Sequence, residues 1–170
     1  MLKHILVPLD GSELSETALL YAKDIVAPDG KLTLLSVVDV PSSQAYMLYD
    51  IPVMAVPAED RKNDEAFERV REQTVKYLKA RADTLREAGL TVETLIYTGI
   101  PEDIIIEQAR ALDVSAIVIS THGRSGFSRW LFGSVTQKII NSMPCPIFVI
   151  PGKRVIDHER EAYNHPEQAF

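Results

Sequence analysis

Five short strand-like segments, separated by longer amphipathic ones, most constrain what this chain can fold into. Four are almost uninterrupted apolar runs: His4–Leu9 (HILVPL), Lys31–Val38 (KLTLLSVV), Val114–Ile119 (VSAIVI) and Pro146–Ile150 (PIFVI). The other, Thr91–Tyr97, alternates. A strand with one wet face alternates, whereas a continuous apolar run needs cover on both faces, which parallel sheets obtain from crossover helices. The intervening segments have helical periodicity. Leu14, Ala18, Leu19, Ala22 and Ile25 share one face after a start at Asp10 or Ser12, and Pro28-Asp29-Gly30 is expected to end that helix. Asn63–Ala88 carries Phe67, Val70, Val75, Leu78, Ala82 and Leu85 on one face and stops at Gly89. Pro101 suits the first turn of a third helix, and Val135–Met143 forms a fourth. Strict alternation of five strands and four helices predicts one doubly wound parallel α/β domain built from right-handed βαβ units.

The fourth strand feeds Ser120–Ser134 (STHGRSGFSRWLFGS), a glycine-punctuated polar loop that opens a helix. Gly123, Gly126 and Gly133 can take φ > 0 and expose bare backbone N–H groups. Ser134 is expected to cap the helix that follows, whose first N–H groups and dipole favour an anion. A helix terminus contributes only ~0.3–1 kcal/mol at an exposed site, so further donors are needed. The hydroxyls of Thr121, Ser125, Ser128 and Ser134 and the guanidinium groups of Arg124 and Arg129 supply them. No Asp or Glu occurs between Asp113 and Asp157, while Arg124, Arg129, Lys138, Lys153 and Arg154 do. That asymmetry, in a chain of net charge −6, points to an anionic ligand here.

The same net charge argues against nucleic acid and anionic membrane as partners of the surface as a whole. No apolar run approaches the ~18 residues of a membrane span, so no membrane insertion is expected. Met1-Leu2-Lys3-His4 runs straight into a strand of six residues, too short for a signal peptide's apolar core, so no signal peptide is expected. The single Cys145 cannot form an internal disulfide, which fits a reducing cytoplasm. Two segments break the alternation. Residues 40–62, with Pro41, Pro52, Pro57, Tyr46, Tyr49, Met47 and Met54, read either as a lid or partner-contact segment or as a loop packed on its own domain. Residues 152–170 read as a polar tail, mobile or bound to a protein partner, beyond a domain at 1–151.

His122-Gly123, nine residues and then Gly133-Ser134 resemble the signature of the universal stress protein family, ATP-binding subgroup, G-x2-G-x9-G-[ST]. Ser120 stands where the signature has its first glycine. VPLDGS in the first strand and the closing PCPIFVIP fall in the family's order, so the resemblance covers about residues 2–151. No Walker A loop and no GxGxxG fingerprint occurs. The resemblance implies a five-stranded sheet in the order 3-2-1-4-5, adenine-nucleotide alpha-hydrolase-like, with a crevice between the first and fourth strands.

In that frame Pro8, Leu9 and Ile119 line a base pocket and the backbone of Val37 holds the adenine edge. Asp10, on a helix start made acidic by Glu13 and Glu16, can accept from ribose hydroxyls or cap its helix. Ser120, His122, Gly123, Arg124, Gly133, Ser134 and Val135 receive the phosphates. ATP, with or without Mg2+, is the implied ligand, and relatives pair Pro146–Ile150 with its mate in a homodimer. His122 has no Ser/His/Asp set, metal cluster or P-loop lysine beside it, so a catalytic constellation is not expected. The resulting expectation is a nucleotide-sensing regulatory module in stress response. The alternatives are a slow ATPase or phosphotransferase, and an interaction protein that binds another adenosine ligand or none.

Overall fold

The computed structural model describes residues 1–38, 58–121 and 133–151, with side chains of the 58–121 segment described from Phe67 onward. In chain order the elements are β1 (Leu2–Pro8), α1 (Glu13–Ile25), β2 (Val26–Val38), α2 (Ala58–Glu87), β3 (Thr91–Thr98), α3 (Pro101–Ala111), β4 (Ala116–Ser120), α4 (Ser134–Ser142) and β5 (Ile147–Ile150). The strands form one parallel sheet in the order β3-β2-β1-β4-β5. The predicted α/β class, strand order and helix number all hold among the described residues.

The two sheet faces explain the continuous apolar runs. Ile5 and Val7 of β1, Leu32 and Leu34 of β2, and Val118 of β4 pack with Ala18, Ala22, Leu78 and Ala82 of α1 and α2. The intervening residues Leu6, Leu35, Ile117 and Ile119 pack on the other face with Ile105 and Ala109 of α3 and Ile139 of α4. Successive strand residues point to opposite faces, so burial of both faces favours apolar residues along the run, with Thr33, Ser36 and Ser120 as buried polar exceptions. Each fully buried Leu or Ile contributes ~1.5–3 kcal/mol relative to exposure. Across the first layer, Arg81 Nε of α2 donates to Glu16 Oε1 of α1 at 2.9 Å, and its guanidinium lies 5.4 Å from the Tyr77 ring centroid.

The end of α1 differs from the expected turn. The helix stops at Ile25 and β2 starts at Val26, so Pro28-Asp29-Gly30 lies within the strand. The register runs from Leu2↔Val26 to His4↔Lys31, so β1 advances two residues while β2 advances five. The surplus is a bulge, and Gly30 is buried where the two strands come closest. Helix α2 starts at Ala58, ahead of the expected Asn63, and ends within a residue of the expected Ala88.

Two local features carry predictions. His4 is half-buried, with Nε2 2.8 Å from Thr33 Oγ1. Burial, aided by Lys31, holds the imidazole below its usual pKa against the opposing pull of Glu93 and the Leu112 carbonyl. The folded state therefore takes up this proton less readily than the unfolded chain. The stabilisation is complete above the unfolded value of about 6.5 and is lost as pH falls below it. Urea midpoints measured from pH 7.5 downward should drop more steeply in the wild type than in His4→Gln.

Met143, at the C-cap of α4, has φ 40° and ψ 56° and its side chain is exposed. A left-handed backbone strains every side chain larger than glycine's. Met143→Gly is expected to stabilise by about 0.5–1 kcal/mol, raising the melting temperature by roughly 1–4 °C.

Candidate functional site

The crevice forms because β1 and β4 part company. Their register covers Ile5↔Ala116 and Leu6↔Ile117. Bonds toward β4 come from alternate β1 residues, since the Ser115 N–H donates to the His4 carbonyl at 2.8 Å while the Leu9 N–H donates to Leu35 on the β2 side. After His4 and Leu6, the next residue on the β4 side is Pro8, which has no N–H to give. The ladder ends there. Beyond it, the Ser36 hydroxyl donates to the Leu9 carbonyl at 2.7 Å and holds the chain to β2. Past β4, the Thr121 N–H donates to the Ile150 carbonyl at 2.9 Å and holds that chain to β5. The strands thus diverge at their carboxyl ends, where strand order reverses and open α/β sheets bind ligands.

Several predicted residues meet on these elements. Pro8 and Leu9 are buried at the end of β1, Ile119 is buried near the end of β4, and Val37 is half-buried on β2 opposite Tyr97. Ser120 still belongs to β4, in register with Ile150 and buried. At that strand position a serine fits without needing a glycine's freedom. His122, Gly123 and Arg124 lie outside the described residues, as do segment 39–57 and residues 152–170.

Two helices start near these strand ends, α1 after β1 and α4 with Val135 of its first turn packed on the cluster that holds Leu6 and Ile119, and their caps differ. In α1 the cap is Ser12, whose Oγ accepts from the Ser15 N–H at 3.1 Å, and Glu13 and Glu16 occupy the first turn. Asp10 is exposed and takes no cap role itself; its Oδ1 accepts from Ser12 N at 3.0 Å and Ser12 Oγ at 2.6 Å. This end of the sheet therefore carries a carboxylate. At α4 the cap is Gly133, not the expected Ser134: its carbonyl accepts from the Gln137 N–H at 2.9 Å and no side chain caps the helix. Helix geometry then leaves the N–H groups of Ser134, Val135 and Thr136 without intrahelical partners. Of α1, α3 and α4, only α4 has no acid in its first turn.

Two expectations about this helix are corrected. Gly133 has φ −59° and ψ 157°, a conformation open to any residue, so its distinguishing property here is the missing side chain rather than φ > 0. Lys138, one of the five cations of the acid-free stretch, is paired with Glu102 of α3. That contact lowers the Glu102 carboxyl pKa and raises that of Lys138, so this charge is already compensated. Arg124, Arg129, Lys153 and Arg154 lie outside the described residues.

Sequence reasoning missed Thr136. Its side chain is 1% exposed in the first turn of α4, and Oγ1 has no hydrogen-bond partner among the described residues. It also missed Ser36, which resembles any other strand serine until its bond to Leu9 is seen. Among the described residues no cluster of three or more His, Cys, Asp or Glu side chains could hold a metal ion, and no helix is long and apolar enough to cross a membrane. Cys145 is half-buried and its thiol pKa is pushed up, by burial above all.

The sequence profile described as the Universal stress protein family matches residues 1–151. Universal stress protein MJ0531 of Methanocaldococcus jannaschii is 30% identical over 149 residues, spanning 87% of this chain and 81% of that protein. The structure of universal stress protein UspA from Lactobacillus plantarum superposes with a TM-score of 0.69 at 28% identity, over 87% of this chain and 97% of that one. More distant neighbours share the fold. An Arabidopsis thaliana universal stress protein family protein with AMP bound has a TM-score of 0.60 at 17% identity, covering 91% of this chain and 94% of its own. A universal stress protein in complex with cAMP has a TM-score of 0.58 at 20% identity, covering 88% and 96%.

Proposed function

This chain belongs to the universal stress protein family, and on that premise we propose that it is an adenine-nucleotide-binding regulatory module with ATP as its ligand and little or no hydrolysis. The observation that carries the reading is the contrast between the two helix starts at one crevice. The end of α4 has uncapped N–H groups and no first-turn acid, whereas α1 is capped by Ser12 and carries Glu13 and Glu16. Polyphosphate therefore goes to α4, and the exposed carboxylate of Asp10 takes the ribose hydroxyls.

In this reading the N–H groups of Gly133, Ser134 and Val135 receive phosphate oxygens, with Ser120, His122, Gly123 and Arg124 completing the loop. Pro8, Leu9 and Ile119 flank the base, and the Val37 backbone holds its edge. The AMP and cAMP carried by two relatives share the adenosine moiety that Asp10 and the apolar end of β1 would recognise. Residues 1–151 act as the nucleotide-binding domain, in the cytoplasm, and segment 40–62 or tail 152–170 engages a protein partner.

Native mass spectrometry after gentle purification tests the ligand: a retained adenine nucleotide is expected, and none at all would overturn the reading. Phosphate release with ATP and Mg2+ tests the regulatory part. Sustained turnover of many cycles per minute would make the chain an ATPase instead.

The reading includes a homodimer through Pro146–Ile150. Strand β5 lies at the end of the sheet, with Phe148 42% exposed on it. An apolar edge strand invites pairing, and a two-fold mate satisfies it with one self-complementary contact. Light scattering at tens of micromolar should give the dimer mass for the wild type and the monomer mass for Phe148→Asp.

A further inference from the structure

The geometry points to Ser12 as the positioning residue that presets Asp10 for ribose, an inference that rests on the proposed contact between Asp10 and ribose hydroxyls. A carboxylate on an exposed loop rotates freely unless something holds it, and rotation lost on binding weakens the complex. Here Ser12 holds it with two donors. The Ser12 N–H reaches Asp10 Oδ1 at 3.0 Å and the Ser12 hydroxyl reaches the same oxygen at 2.6 Å.

The direction of the hydroxyl proton is not arbitrary. Ser12 Oγ also accepts from the Ser15 N–H at 3.1 Å as the cap of α1. The Ser15 N–H can only donate and the ionised carboxylate can only accept, so the single hydroxyl proton of Ser12 goes to Asp10. Gly11, at φ +80°, makes the tight turn that brings residues 10 and 12 together. The buried Ser15 locks the turn to the helix, its Oγ donating to the Ser12 carbonyl at 2.8 Å and lying 3.4 Å from the Asp10 N–H. Asp10 is therefore tied to the rigid start of α1 through Ser12 and Ser15. Ser12 acts through Asp10, because its own proton is already committed.

This role separates from helix capping by choice of variant and of readout. Ser12→Ala removes the cap and the hydroxyl donor and leaves the N–H bond to Asp10. Ser12→Asp keeps a good cap and the N–H bond but has no hydroxyl proton for Asp10, so α1 stays stable. Ser12→Thr keeps both functions. Calorimetric titration of each folded variant with ATP and with dideoxy-ATP, which lacks both ribose hydroxyls, gives the preference ratio. Any general effect on the fold or on phosphate binding cancels in that ratio.

The wild-type preference for ATP should fall about three- to tenfold in Ser12→Ala and Ser12→Asp, and persist in Ser12→Thr. Preference at the wild-type level in both Ser12→Ala and Ser12→Asp would overturn this role for Ser12 and leave the ribose assignment standing. A wild type that does not distinguish the two nucleotides would overturn the ribose assignment and this inference with it.

Discussion

Gly133→Val is expected to weaken ATP binding at least ~tenfold while changing adenosine binding far less. Gly133 caps α4 with φ −59° and ψ 157°, so valine meets no left-handed strain there. The loss must come from elsewhere. Where phosphate oxygens approach the first N–H groups of the helix, a branched side chain at the cap occupies the approach. Hydrogen bonds to a charged group contribute ~1.5–3 kcal/mol each, and ~1.4 kcal/mol is a factor of ten, so losing one such bond suffices. Adenosine has no phosphate to lose. Valine is also a poor cap, so circular dichroism must first establish that the variant is folded. Calorimetry with both ligands then decides: equal ATP affinity in wild type and variant would remove the phosphate assignment, and an equal loss for both ligands would point to damage beyond the phosphates.

Gly30→Ala is expected to have the largest effect on stability, about 2–3 kcal/mol, although it adds a single methyl group. That carbon would stand 2.9 Å from the carbonyl oxygens of Leu2 and Lys3 and 2.9 Å from Val26 Cγ2. Two of these neighbours are backbone within the β1–β2 ladder and cannot rotate away. Relief requires the strands to separate at the bulge, next to the buried pair Ile5 and Leu32. Urea unfolding should show the midpoint lowered by about 1 M or more at unchanged slope. The adjacent Asp29→Ala is the control. Asp29 pairs with Lys3 at 2.7 Å, but both side chains are well exposed and screened by solvent, so its loss should leave the urea midpoint essentially unchanged.

These two glycines show where sequence reading succeeds and where it stops. Gly133 was legible because its neighbours are: a serine and a valine after it, no acid nearby and a helical pattern downstream all lie within a few residues. The exact cap was not, since Gly133 and Ser134 are both acceptable caps and the choice depends on where the incoming loop leaves the chain. Gly30 was read as a turn after a helix because Pro28-Asp29-Gly30 has turn chemistry. The structure draws the same residues into β2, where the backbone of β1 demands the glycine.

Alternation of buried runs with amphipathic helices determined the doubly wound parallel architecture, because covering a sheet on both faces is a property of each segment's own composition. The acid-free helix start and a helix beginning at Asp10 or Ser12 were legible from residues adjacent in the chain. Other features joined residues far apart in the chain, and only the tertiary structure decided them. Lys138 is compensated by Glu102 from the preceding helix. Pro8 ends a ladder because it falls on the β4 side of β1, and Leu9 and Thr121 are drawn toward opposite edges of the sheet. The strand order in which these contacts occur came to the sequence reading from a family resemblance, not from periodicity. Periodicity records which face of a segment is buried, whereas the crevice depends on which segment lies beside it.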